Sequence, residues 1–62
     1  MNLEDVILLR LREEEESLVR AVAEGRPTTF DEYKRLCGVV QGLRIAINHI
    51  HDLKDLMESS DD

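Results

Sequence analysis

The apolar residues in the second half of the chain recur in alternating steps of three and four, which is the heptad pattern of a packed helix. The repeating positions are Leu36, Val39, Leu43, Ala46, Ile50, Leu53 and Met57. Val40 and Ile47 each directly follow one of these positions, so the apolar stripe is wider than a two-stranded seam requires. The pattern therefore predicts one long helix that contacts more than one neighbouring helix.

A shorter amphipathic helix is predicted before it, from about residue 3 to residue 24. Its apolar face consists of Leu3, Ile7, Leu11, Leu18 and Val22, with Leu8 and Ala21 on the flanks. Asn2 is suited to cap its first turn, with Asp5 reaching back as in a capping box. Gly25 follows as the residue able to adopt the left-handed conformation that ends many helices.

The segment 25–29 is predicted to be the turn between the helices. Pro27 cannot continue the first helix, and Thr29 with Glu32 matches a capping box that starts the second helix near Phe30. The second helix is expected to extend to about residue 58. The acidic tail 59–62 is expected to fray, since carboxylates at a helix C-terminus oppose the helix dipole.

The predicted fold is an all-α, antiparallel two-helix hairpin forming a single domain over 1–62, because so short a turn leaves the helices side by side. The helices would be about 33 and 43 Å long, so the second should extend beyond the first by roughly two turns. A hairpin of 62 residues is too small to bury a sizeable core, so we expect it to self-associate into a bundle. The expected oligomer interface is Leu36, Val39, Val40, Leu43, Ala46, Ile47, Ile50, Leu53, Leu56 and Met57.

Two glutamates interrupt the apolar face of the first helix. Glu14 and Glu15 lie on the side that carries Leu11 and Leu18, so each carboxylate must be paired or hydrated. The simpler interpretation is that they extend into water at the edge of a narrow interface or pair with Arg44 or a lysine across it. The alternative is a functional acidic site, because burial beside a like charge raises the pKa of a carboxyl.

Small residues recur every fourth position on one flank of the second helix, at Gly38, Gly42 and Ala46. A glycine inside a helix costs about 1 kcal/mol relative to alanine, so two of them require a local reason. Close approach of a second backbone is one reason, and access of a ligand to the backbone is the alternative.

Composition and charge narrow the classes of function. The net charge of −6 argues against general nucleic-acid binding, which requires clustered Lys and Arg to neutralise phosphates. No stretch of the sequence approaches the roughly 20 uncharged apolar residues that span a bilayer, so no membrane partner is expected. The single cysteine, Cys37, cannot form a disulfide within the chain and fits a reducing compartment.

Catalytic or metal chemistry has little support in the sequence. His49 and His51 lie two residues apart, so on a helix they point away from each other and cannot share a metal. His51 is instead expected to pair with Asp55, and Cys37 is interpreted as a small packing residue. We therefore expect no enzyme activity and no cofactor, unless Glu14 or Glu15 is buried at an oligomer interface.

The hairpin end is the one place where the sequence suggests a ligand. Basic and hydroxyl side chains gather there next to the start of the second helix, whose free N–H groups favour anions. An anionic ligand such as a small nucleotide would be held by Arg20, Arg26, Thr28, Thr29, Tyr33, Lys34 and Arg35. Glu24, Asp31 and Glu32 lie in the same neighbourhood and oppose this hypothesis.

The sequence from Glu24 to Leu43 resembles the middle of very short, mostly uncharacterised helical-hairpin proteins of tailed bacteriophages. The shared features are Gly25-Arg26 in the turn, the F-x-x-Y helix start of Phe30 and Tyr33, and the G-x-x-x-G-L run that ends at Leu43. The resemblance implies a phage origin and a small accessory role. It transfers no functional residue, because these proteins share no agreed activity.

Two functions remain as hypotheses. The first is a non-enzymatic, self-associating phage protein acting through contacts with a phage structural protein as a virion or assembly factor. The alternative is an inhibitor or sponge of a host defence or transcription component, which binds either a host protein or a small nucleotide at the hairpin end. Either function would place the protein in the host cytoplasm or in the virion.

Overall fold

The computed structural model describes residues 2–59, and within this range it contains two α-helices and no strand. The first helix, α1, covers Leu3–Ala23, and the second, α2, covers Phe30–Ser59. They pack against each other as an antiparallel hairpin about 51 Å long and 19 by 13 Å in section. The expected all-helical two-helix architecture is confirmed. Of the tail predicted to fray, 60–62 lie outside the described residues.

The first turn of α1 is capped as predicted. The side-chain Oδ1 of Asn2 accepts a hydrogen bond from the backbone N–H of Asp5 at 2.9 Å. The carboxylate of Asp5 was expected to reach back toward this cap, but it accepts from Lys54 of α2 instead. The Asp5 side chain, which was expected to make a contact within α1, thus joins the two helices.

The C-terminus of α1 ends in a Schellman motif. Gly25 has φ +77°, which L-residues with a Cβ rarely adopt, and its N–H donates to the carbonyl of Val22 at 3.0 Å. The next N–H, that of Arg26, donates to the carbonyl of Ala21 at 3.0 Å. These two bonds satisfy carbonyls that the helix end would leave free and reverse the chain direction.

The start of α2 uses the predicted threonine and glutamate. The N–H of Glu32 donates to Oγ1 of Thr29 at 3.1 Å, so Thr29 is the cap. The carboxylate of Glu32 accepts from the N–H of Thr28 at 3.1 Å, one residue before the cap of the predicted box. Both ends of the turn are therefore closed by bonds within the chain.

The core of the hairpin is small and consists of Leu8 of α1 with Val40 and Ile47 of α2, which are 6%, 7% and 8% exposed. Half-buried aliphatic residues extend it along both helices: Leu11, Leu18 and Val22 on α1, and Leu36, Leu43 and Ile50 on α2. The buried α2 positions thus follow the series 36, 40, 43, 47 and 50.

This arrangement corrects the predicted faces of both helices. Leu3 and Ile7, expected at the centre of the α1 face, are exposed, whereas Leu8 is buried. Val40 and Ile47, expected in the oligomer interface, are buried between α1 and α2. The two heptad series on α2 share three residues, so the aliphatic pattern alone did not distinguish the inner series from the outer one.

The register also corrects the predicted overhang of α2. Lys54 contacts Asp5, so α2 is level with the beginning of α1 near Leu56 and extends past it by about one turn. Leu53 lies beside the first turns of α1 and is nevertheless 58% exposed. Its exposure results from the direction in which it points and not from an overhang.

Replacing Leu8 with alanine should lower the free energy of unfolding by about 2–3 kcal/mol, because it removes a buried side chain from a core of three residues. Leu9→Ala is the matched control, since Leu9 is adjacent on the same helix but 48% exposed. It should cost less than about 1 kcal/mol. Urea unfolding followed by circular dichroism measures both, and equal losses would contradict the assignment of the core.

Candidate functional site

Three cross-helix polar contacts lie along one edge of the hairpin. Lys54 Nζ donates to Asp5 Oδ1 at 2.6 Å, Arg12 donates to Nε2 of His51, and Arg44 Nε donates to Glu15 Oε2. We call these six residues the polar edge. A guanidinium has donors only, so Nε2 of His51 is the acceptor in its contact with Arg12.

The polar edge shows how the hairpin accommodates the two glutamates that interrupt the apolar face of α1. Glu15 is half-buried between Leu11 and Leu18 and is paired with Arg44, as the simpler interpretation predicted. Glu14 is exposed. The structure therefore does not bring the two carboxylates together in a buried site, and the functional acidic site is not formed within the hairpin.

The Lys54 ammonium is electrostatically tied to α1. Its hydrogen bond to the Asp5 carboxylate raises the pKa of Lys54 above its ordinary value of 10.5, and the nearby charges of Glu58 and Glu4 act in the same direction. This contact was not predicted from the sequence. The available signal was that Lys54 continues the buried series 36, 40, 43, 47 and 50 with a cation, opposite the acidic first turn of α1.

The opposite edge of the hairpin is apolar and open. On α1, Asp5 and Arg12 lie to one side of Leu8 and Ile7 to the other, because successive helical residues are about 100° apart. On α2, Arg44 and His51 lie to one side of Ile47, and Ala46 and Leu53 to the other. The polar contacts join the Asp5 side of α1 to the Arg44 side of α2. The Ile7 side of α1 and the Ala46 side of α2 therefore lie along the other edge of the hairpin.

We call this second edge the open face. It consists of Leu3 and Ile7 of α1 with Val39, Gly42, Ala46, Leu53 and Leu56 of α2. Exposure is 41% for Val39, 58% for Leu53 and 69% for Leu56, which are large values for aliphatic side chains on one helix face. The open face includes five α2 positions, four of them from the predicted oligomer interface, while Val40 and Ile47 lie inside the hairpin.

No close contact within the hairpin explains why α2 has glycine at two interior positions. A Cβ built at Gly38 or at Gly42 meets no atom within 4 Å. The close backbone approach that the spacing predicted is therefore not supplied by α1. Both glycines are exposed, on the side of α2 that carries the open face.

At the hairpin end, several of the groups predicted to hold an anion are engaged by contacts within the chain. The N–H groups of Thr28 and Glu32 are taken by the Glu32 carboxylate and the Thr29 hydroxyl, and Arg26 lies 3.9 Å from the carboxylate of Glu24. The other predicted ligands, Arg20, Tyr33, Lys34 and Arg35, are all exposed. Of these, Arg35 lies on the open-face side of α2, away from the turn.

An aromatic contact that the sequence analysis did not predict lies at the start of α2. The rings of Phe30 and Tyr33 stack with centroids 6.2 Å apart, and Lys34 Nζ lies 5.5 Å from the Phe30 centroid. A hydrogen bond to the Cys37 thiol raises the pKa of the Tyr33 phenol. The spacing of three and four residues along one helix was the signal for these contacts.

The remaining candidates for chemistry are dispersed. His51 is bonded to Arg12 of α1 and not to Asp55 as expected, and His49 is exposed on the open-face side of α2, between Ala46 and Leu53. Over residues 2–59, no three side chains of the metal-binding types come together. Within the same range, neither helix has a stretch apolar enough to cross a membrane.

Comparison with known proteins returned no matching family model, no matching characterised protein and no matching solved structure. The function is therefore argued from the geometry of the hairpin itself.

Replacing Lys54 with methionine should reduce stability at neutral pH and not above the range where Lys54 loses its proton. A raised pKa in the folded state means that the contribution is complete below 10.5 and is lost as pH rises through the higher folded value. Thermal unfolding of both proteins from pH 7 to pH 12 measures the difference, in which other titrations cancel. Lys34→Met is the control for the loss of one positive charge, because Lys34 contacts the Phe30 ring of its own helix and not α1. It should not reproduce the pH dependence seen for Lys54→Met.

Proposed function

We propose that this protein is a non-enzymatic, self-associating helical hairpin that acts through protein–protein contacts. The carrying observation is the surface area of the single chain, 4997 Å² for 7.2 kDa. A compact monomer of this mass exposes about 4,100 Å², so the hairpin exposes an excess of about 900 Å². A standard interface buries about 800 Å² on each partner, which is close to this excess.

The position of the exposed apolar side chains supports a specific interface over non-specific hydrophobic association. Leu3, Ile7, Val39, Leu53 and Leu56 are exposed on the open face, while the other edge of the same hairpin is joined by the ion pairs Asp5–Lys54 and Glu15–Arg44. An exposed apolar surface of this kind is typical of a protein-binding site. A second copy of the chain is the partner that is always present at matching concentration.

The biological setting that we propose is that of a phage accessory protein in the virion or in its assembly. This part rests on the resemblance of residues 24–43 to short hairpin proteins of tailed phages. Copurification of the tagged chain with capsid, portal or tail proteins from infected cells would support it. Particles that assemble and infect normally without the protein would count against it.

The self-association is tested by sedimentation velocity over a concentration series from 1 to 200 µM, a range chosen to bracket about micromolar affinity. The wild-type chain should show a mass above 7.2 kDa that increases with concentration. Leu53→Asp should move the protein toward the monomer, because it places a charge on the open face.

Asn48→Asp is the matched control for this experiment. It adds the same charge on the same helix at an exposed position away from the open face, so it should leave the association within about threefold of wild type. A wild-type chain that remained a folded monomer throughout the series would overturn the proposal.

A further inference from the structure

We propose that two hairpins pair helix to helix through α2, in antiparallel orientation, with Gly42 of one copy facing Ala46 of the second copy. The proposal rests on the self-association proposed above and specifies its surface and geometry. The second copy lies along the open face of α2 from Arg35 to Leu56, related to the first by a two-fold axis between Gly42 and Ala46.

The length and composition of the α2 part of the open face favour this surface. Between Arg35 and Leu56 it carries Val39, Ala46 and Leu53, with His49 between the last two and no carboxylate among them. The corresponding strip on α1 is interrupted by Glu14, which is exposed on the same side as Ile7. An interface centred on α2 thus desolvates mainly apolar groups, together with the imidazole of His49, and includes no carboxylate, whose burial without a partner would be costly.

The small residues at the centre determine how closely the helices approach. Gly42 and Gly38 each cost about 1 kcal/mol of helix stability relative to alanine, and the space beside them is empty in the hairpin. A second helix crossing at Gly42 and Ala46 would fill that space and bring the two backbones into contact. Close approach of the second α2 helix would then explain the two helix-destabilising glycines, which contact with α1 does not explain.

The charges at the two ends of the strip favour the antiparallel orientation. Arg35 lies at one end of the strip, and Asp52 lies on its flank near the other end, one turn before Leu56. With Gly42 opposite Ala46, Arg35 of each copy faces Leu53 of the second copy, and its long side chain reaches toward Asp52 at the rim of the contact. A parallel pair would instead place Arg35 against Arg35 and would align the two helix dipoles.

A two-fold pairing also limits the assembly. Each copy uses the same strip, so the contact is isologous and closes when two hairpins have met. The product is a four-helix arrangement in which the two α2 helices lie inside and the α1 helices lie outside. The polar edges, with Asp5–Lys54 and Arg44–Glu15, remain on the surface of this dimer.

The first test places a leucine at the proposed crossing. Gly42→Leu should weaken dimerisation at least about tenfold in sedimentation equilibrium, because the added side chain prevents close approach. It should not unfold the hairpin, since a Cβ at Gly42 meets nothing there and leucine favours helix. Gln41→Leu is the matched control, an exposed neighbour away from the strip, and should leave the dimer within about threefold of wild type.

The second test reverses the charges that set the orientation. Arg35→Asp alone should weaken the dimer, and Arg35→Asp combined with Asp52→Arg should recover at least half of the lost affinity in logarithmic terms. Circular dichroism of each variant at a fixed concentration checks that the helices are retained.

The outcomes separate this inference from the proposed function. A wild-type monomer at all concentrations overturns both. A wild-type dimer that Gly42→Leu leaves unchanged or tightens overturns only the close α2 crossing, and failure of the charge reversal to restore affinity overturns the antiparallel orientation. Weakening by Gly42→Leu together with restoration by the charge reversal supports the proposal.

Discussion

The apolar stripe of α2 is wider than the surface that α1 can cover, and the other features of the hairpin follow from this mismatch. Leu36, Leu43 and Ile50 lie along the middle of the stripe and are only half-buried. On one side of them Val40 and Ile47 are enclosed by α1, whereas the residues on the other side face outward. A single neighbouring helix leaves half of the stripe uncovered, because an antiparallel pair has one line of contact.

The polar edge determines which half α1 covers. The pairs Asp5–Lys54 and Glu15–Arg44 are formed only when both helices turn the same flank toward each other, and that orientation places Val40 and Ile47 inside. Each exposed ion pair contributes little stability by itself. Their value here is orientational, because the aliphatic residues alone are compatible with two orientations that differ by one position on each helix.

The two edges of the hairpin therefore have different physical character, and this difference links the fold to the proposed function. One edge has its charges paired across the helices and gains little from a further partner. The other carries aliphatic side chains and glycines whose exposure is unfavourable in water, so covering it is favourable by the hydrophobic effect. At the hairpin end, the side chains of Thr29 and Glu32 accept from two of the backbone N–H groups that could otherwise bind an anion.

The sequence by itself determined the elements and their ends. The caps at Asn2 and Thr29 and the left-handed Gly25 are local, since each depends on residues within four positions in the chain, and these features follow from backbone hydrogen bonding. Only the tertiary structure decided the rotation of the helices and the pairing of Lys54 with Asp5. These depend on residues some 49 positions apart, and the heptad pattern, which repeats on both flanks of α2, does not contain that information.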